Sequence, residues 1–154
     1  MKTTKMINIS RRNAIVLMLG SAGYLMSSRI ALAGKEEVLK RIDEITKGKG
    51  TKELDIFLDL PEIAENGNQV KVNFEIESEM TEENYIKNVY ILADGNPAPD
   101  IAKFSFTPDM GMCSATTRIR LSKTQNVVLV AENNKNEYFM TKSKVKVTIG
   151  GCGG

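Results

Sequence analysis

The chain has 154 residues, 42% of them hydrophobic and 26% charged, with four prolines, which is the composition of one ordinary soluble domain and excludes disordered and fibrous classes. It contains no histidine, so Ser-His-Asp and Cys-His catalytic pairs, histidine metal sites and the commonest general base near neutral pH are all excluded. Two cysteines, Cys113 and Cys152, are too few for a disulfide scaffold or an all-cysteine zinc site.

Residues 1–33 read as an address. Lys2 and Lys5 precede Ser10-Arg11-Arg12, an apolar run AIVLMLGSAGYLM follows, and ALAG supplies an A-x-A cleavage site after Ala33. Arg11 and Arg12 mark a twin-arginine export signal. The apolar run is shorter than the ~20 residues a membrane span needs, so no membrane attachment is expected after processing and the periplasm is the expected location. The segment holds five basic residues and no acid, which turns the formal charge of +2 into 16 basic against 19 acidic residues, or −3, in the mature chain. A weakly acidic domain with scattered charge gives no reason to expect a nucleic-acid partner.

Next comes KEEVLKRIDEITKGKG. Val38, Leu39, Ile42 and Ile45 recur at helical spacing, Glu36 and Glu37 occupy the first turn, and Gly48 and Gly50 stop the pattern. A short amphipathic helix packed on the domain is predicted. From Leu54 the period becomes two: Leu54, Ile56, Leu58 and Leu60 alternate, PEIAENGNQ reads as a turn, and Val70, Val72, Phe74 and Ile76 alternate again. VYILA, the loop DGNPAPD, IAKFSFT, ATTRIRL, NVVLVAE, EYFMTK and KVKVTI continue the β pattern. Seven or eight short strands without intervening helices predict an immunoglobulin-like antiparallel β-sandwich over residues 34–149, with a barrel as the alternative.

Residues 150–154 are GGCGG. Gly150, Gly151, Gly153 and Gly154 lack the Cβ that restricts the backbone, so this stretch reads as a narrow flexible arm able to enter a tight channel in another protein, carrying the Cys152 sulfur roughly 10 Å beyond the last strand when extended. A free thiol has a pKa of about 8.5, and no cation within the last five residues lowers it. Cys152 is therefore expected to be activated by the sites it visits, which makes the chain a substrate of enzymes and not an enzyme itself.

VKVTIGGCGG, LPEIAENG, ADGNPAPDIAKFSF, TRIRL and the twin-arginine leader together resemble the SoxY family, the sulfur carriers of thiosulfate oxidation, over nearly all of the chain from about Leu54. The resemblance implies that Cys152 is the covalent attachment point for thiosulfate-derived sulfur. It also implies that a c-type cytochrome loads the cysteine, that a hydrolase releases sulfate, and that a SoxZ-like subunit completes a heterodimer; neither cofactor nor metal is implied. Cys113 departs from the family pattern of a single tail cysteine and reads as a partly buried structural thiol, with a Cys113–Cys152 disulfide left open as an off-state. Arg118 and Arg120 read as a solvated strand face, the alternative being an anion-steering patch, and Asp94 to Asp100 reads as a proline-fixed loop or a subunit interface.

Three rivals differ in class. An exported binding module could use the tail cysteine for an intermolecular disulfide, though that bond needs no glycines around it. A thiocarboxylate carrier would use Gly154 and ATP, and an electron-transfer protein would need a ligand set that the sequence lacks.

Overall fold

The computed structural model describes residues 34–151; the leader, with Arg11 and Arg12, lies outside the described residues, as do Cys152, Gly153 and Gly154. A helix, α1, spans residues 34–46. Eight strands follow: β1 (Ile56–Asp59), β2 (Ile63–Asn66), β3 (Val70–Ile76), β4 (Ile86–Ala93), β5 (Asp100–Ser105), β6 (Cys113–Ile119), β7 (Gln125–Asn133) and β8 (Tyr138–Ile149).

The strands form two sheets, β1-β3-β6 and β2-β8-β7-β4-β5. Their inward residues make one core in which Val72, Phe74, Val89, Ile91, Val127, Leu129 and Val145 are fully buried. Phe74 meets Phe104 and Phe106 edge-on, with ring centroids 5.4 and 6.3 Å apart, the offset geometry that aromatic quadrupoles favour. This is the sandwich that the period-two pattern predicts. Two details differ. PEIAENGNQ is not only a turn, because its centre forms β2, which runs parallel to β8 with Ala64 opposite Val147 and makes the larger sheet mixed. Four residues with one inward side chain carry too little alternation to register as a strand; pairing with β8 is what extends them. EYFMTK and KVKVTI, which read as separate segments, are one twelve-residue strand, since no glycine or proline interrupts them.

Helix α1 covers the outer face of the larger sheet. Val38 and Ile45 are buried there against Leu92, Val128, Val130 and Tyr138, with Ile42 half-buried. Leu39, expected on the same stripe, is 65% exposed, because three residues at positions 38, 42 and 45 already span the contact. The Gly48 N–H bonds back to the Asp43 carbonyl at 3.1 Å, with Gly48 at φ 72°, a left-handed turn that ends the helix. Arg41 holds both oxygens of Asp100 through Nε at 2.9 and 3.0 Å. That exposed pair is worth at most about 1 kcal/mol, whereas burying each aliphatic side chain of the stripe is worth roughly 1.5–3 kcal/mol. Apolar packing therefore decides where α1 sits, and Arg41 orients it.

Candidate functional site at the root of the cysteine segment

Three separate segments meet where β8 runs out, linked by three backbone hydrogen bonds. The Gly67 N–H donates to the Ile149 carbonyl (2.8 Å), the Leu121 N–H to the Gly67 carbonyl (2.7 Å), and the Gly151 N–H to the Leu121 carbonyl (2.9 Å). The β2–β3 turn thus lies between the end of β6 and the end of β8. Glycine is what permits the approach. A Cβ at Gly67 would stand 2.1 Å from the Leu121 carbonyl oxygen and 2.7 Å from the Gly151 nitrogen, and one at Gly150 would stand 2.1 Å from the Ser122 carbonyl oxygen. At Gly151, itself buried, the added carbon would be 2.9 Å from the Gly67 carbonyl oxygen.

Gly150 and Gly151, expected as part of a flexible arm, therefore have a packing reason of their own: they are a root held in a cradle, which ends one residue before Cys152. The cradle is braced from below. Asn96, buried to 7% exposure, donates from Nδ2 to the Arg120 carbonyl at 2.8 Å, while its Oδ1 accepts from the Ser122 N–H (2.9 Å) and from Gln125 Nε2 (2.8 Å). Gln125 Oε1 accepts the Gly95 N–H at 2.6 Å, and Ser122 Oγ donates to the Gly95 carbonyl at 2.8 Å. Asp94 accepts from the Asn126 N–H (2.8 Å) and from Asn126 Nδ2 (2.6 Å). The first half of the 94–100 loop is thus committed to holding residues 120–126 in place. Local pattern does not single out Gly67, Asn96 or Gln125; the Asn66-Gly67 pair and the glycine-asparagine of DGNPAPD are the only signals the sequence offers for them.

Cys113 lies elsewhere. It opens β6 opposite Ile76, is 1% exposed, and its thiol is pushed up to about 12 by burial away from water. The reading of Cys113 as a structural thiol agrees with this. Leu121 is eight residues further along, about 26 Å at the rise of a strand, whereas Cys152 is one residue, about 3.8 Å, past Gly151. A disulfide needs Cα atoms within about 7 Å, so Cys113 and Cys152 cannot join while Gly151 stays in the cradle. Two expectations follow for Cys113. Iodoacetamide at pH 8 should label Cys152 and leave Cys113 unmodified in the native protein, with both labelled in denaturant, as read by peptide mass. The raised thiol also contributes stability that is complete below the unfolded value near 9 and is lost as pH climbs towards about 12.

The described residues form a small β-sandwich whose last strand ends in a glycine-lined clasp, one residue before Cys152 in the sequence. The family profile described as "Sulfur oxidation protein SoxY" matches residues 42–152. This chain belongs to the SoxY family of sulfur carrier proteins. Among solved structures it is similar to the sulfur carrier protein SoxY from Chlorobium limicola f thiosulfatophilum, with 28% identity and a TM-score of 0.61 over 75% of this chain and 99% of that one. Superoxide reductase shares the fold alone: neelaredoxin from Ignicoccus hospitalis matches at 14% identity and TM-score 0.54 over 60% of this chain and 79% of its own. No curated protein sequence matches.

Proposed function

We propose that this protein is the covalent sulfur carrier of a periplasmic thiosulfate-oxidising system, with Cys152 as the point of attachment. The observation that carries the reading is the reach of the family match, which ends on Cys152 itself. In the loading step the Cys152 thiol and thiosulfate join through a new S–S bond, giving Cys–S–S–SO3⁻ with release of one proton and two electrons, and a c-type cytochrome partner accepts the electrons. In the unloading step a hydrolase adds water across the S–SO3 bond, releasing sulfate and a proton and leaving Cys–S–SH. The carrier supplies no base or metal to either step. It supplies position, since a tethered intermediate meets each enzyme at a high effective concentration and does not diffuse away.

A SoxZ-like subunit is the expected partner in a heterodimer. Folding with it in the cytoplasm accounts for a twin-arginine leader, through Arg11 and Arg12, on a chain for which no cofactor is implied. Intact-mass analysis of the protein isolated from thiosulfate-grown cells tests the reading: the C-terminal tryptic peptide is expected to carry added sulfur or thiosulfate that dithiothreitol removes. An unmodified peptide under all growth conditions, or sulfur found on Cys113 instead, would defeat it.

A further inference from the structure

Four cations gather around the cradle. Arg118 and Arg120 project from the end of β6, Lys71 stands directly opposite Arg118 on β3, and Lys123 follows Ser122, the residue against which Gly150 packs; all four are exposed. Like charges directly opposite one another on a sheet face oppose strand pairing, and Lys71 and Arg118 are so placed. None of the four takes part in an ion pair among the described residues, whose pairs are Arg41 with Glu44, Arg41 with Asp100, and Lys52 with Glu137. Acidic neighbours exist but do not neutralise the group. Asp100 lines the same recess as Arg118 and Arg120 yet is engaged by Arg41, and Asp59 sits opposite Asn73, one step diagonally from Lys71.

Position gives the cations a consequence. Gly151 is fixed to Leu121, and Leu121 lies between Arg120 and Ser122, so the Cys152 backbone starts about 3.8 Å from an anchored atom. An enzyme that reaches this thiol must press its channel mouth against the surface immediately around the cradle. We propose that Lys71, Arg118, Arg120 and Lys123 form a cationic collar that docks on an acidic rim around the entry channel of the enzymes that load and unload Cys152. The proposal rests on the carrier reading above. Such a collar steers encounter and sets salt sensitivity more than it adds lasting affinity, which suits a carrier that must leave each enzyme after one reaction.

The test uses the full carrier with its purified loading and unloading partners, following thiosulfate-dependent cytochrome reduction. R118E/R120E is expected to fold at least as well as the parent, because the change at position 118 sets a carboxylate across the sheet from Lys71 in place of a second cation, and thermal unfolding checks this. It is expected to raise the KM for carrier about tenfold at low salt with kcat retained, and to flatten the fall of kcat/KM with ionic strength that is expected of the parent. K87E/K135E, at the opposite end of the sandwich, is expected to change neither. An unchanged KM in R118E/R120E, or an equal effect from K87E/K135E, overturns the collar. A lowered kcat with an unchanged KM also overturns it, because the cations would then be acting on the arm's own anionic load and not on docking. Should R118E/R120E fail to fold, R118Q/R120Q is read in the same way, with a smaller rise in KM expected. Cys152→Ser separates the two levels: activity surviving in that variant sinks the carrier reading itself, whereas activity lost there with silent charge variants sinks the collar alone.

Discussion

Cys152→Ser is expected to remove all thiosulfate-dependent electron transfer from the reconstituted system while leaving the fold intact. The hydroxyl is isosteric enough to occupy the same place, but it forms no S–S bond, so neither the loading nor the unloading step has a substrate. The expected loss is to background, far beyond the effect of weakening a docking contact. Thermal stability is expected to stay within about 0.5 kcal/mol of the parent, because exchanging sulfur for oxygen changes the side chain's size little. The competing readings give other results. A carrier that worked through a C-terminal thiocarboxylate would tolerate the change, and a module joined by an intermolecular disulfide would lose dimer on a non-reducing gel without any link to thiosulfate. Cytochrome reduction and gel mobility, measured on one preparation, separate the three.

Gly67→Val is expected to produce the largest loss of stability outside the core. Its Cβ would fall 2.1 Å from the Leu121 carbonyl oxygen and 3.0 Å from a Val147 methyl, and backbone cannot move aside as a side-chain tip can. The β2–β3 turn must withdraw, which breaks the bonds from Gly67 to Ile149 and from Leu121 to Gly67 and leaves the Leu121–Gly151 bond without support. Overpacking costs about 1–3 kcal/mol and each lost hydrogen bond about 0.5–1.5 kcal/mol, for a total on the order of 3 kcal/mol. In a domain of this size that lowers the melting temperature by roughly 10 °C or more. Amide exchange distinguishes this from general damage: protection of the Gly151 N–H should disappear while that of Leu129 and Val130 in β7 persists. If the Gly151 amide exchanges freely in the parent protein as well, the cradle is not a stable feature in solution.

Sequence and structure divide the glycines of the last segment differently. Read alone, GGCGG is a uniform flexible tract, because nothing in five residues says which of them touch anything. The fold separates them: Gly150 and Gly151 are glycine because Ser122 and Gly67 come too close for a side chain, and they would be glycine even if mobility had no value. The same holds for Gly67, which as part of Asn66-Gly67 looks like an ordinary turn residue and is in fact the middle layer of a three-segment contact. Arg118 and Arg120 show the converse. Their alternation with core positions is legible in the sequence, but that Lys71 stands across from Arg118 depends on the β3–β6 register, which no local pattern encodes.

What the sequence determined unaided was everything governed by local periodicity and chemical type. The sandwich class, the amphipathic helix, the absence of an imidazole and the single cysteine between glycines each depend on residue type or on residues close together in the chain. The tertiary structure alone decided the pairing of β2 with β8, the register that sets Lys71 across from Arg118 and the anchoring of Gly151 to Leu121. Each of those depends on backbone segments tens of residues apart meeting within hydrogen-bonding distance, and contact at that range is set by how the two sheets close over their common core.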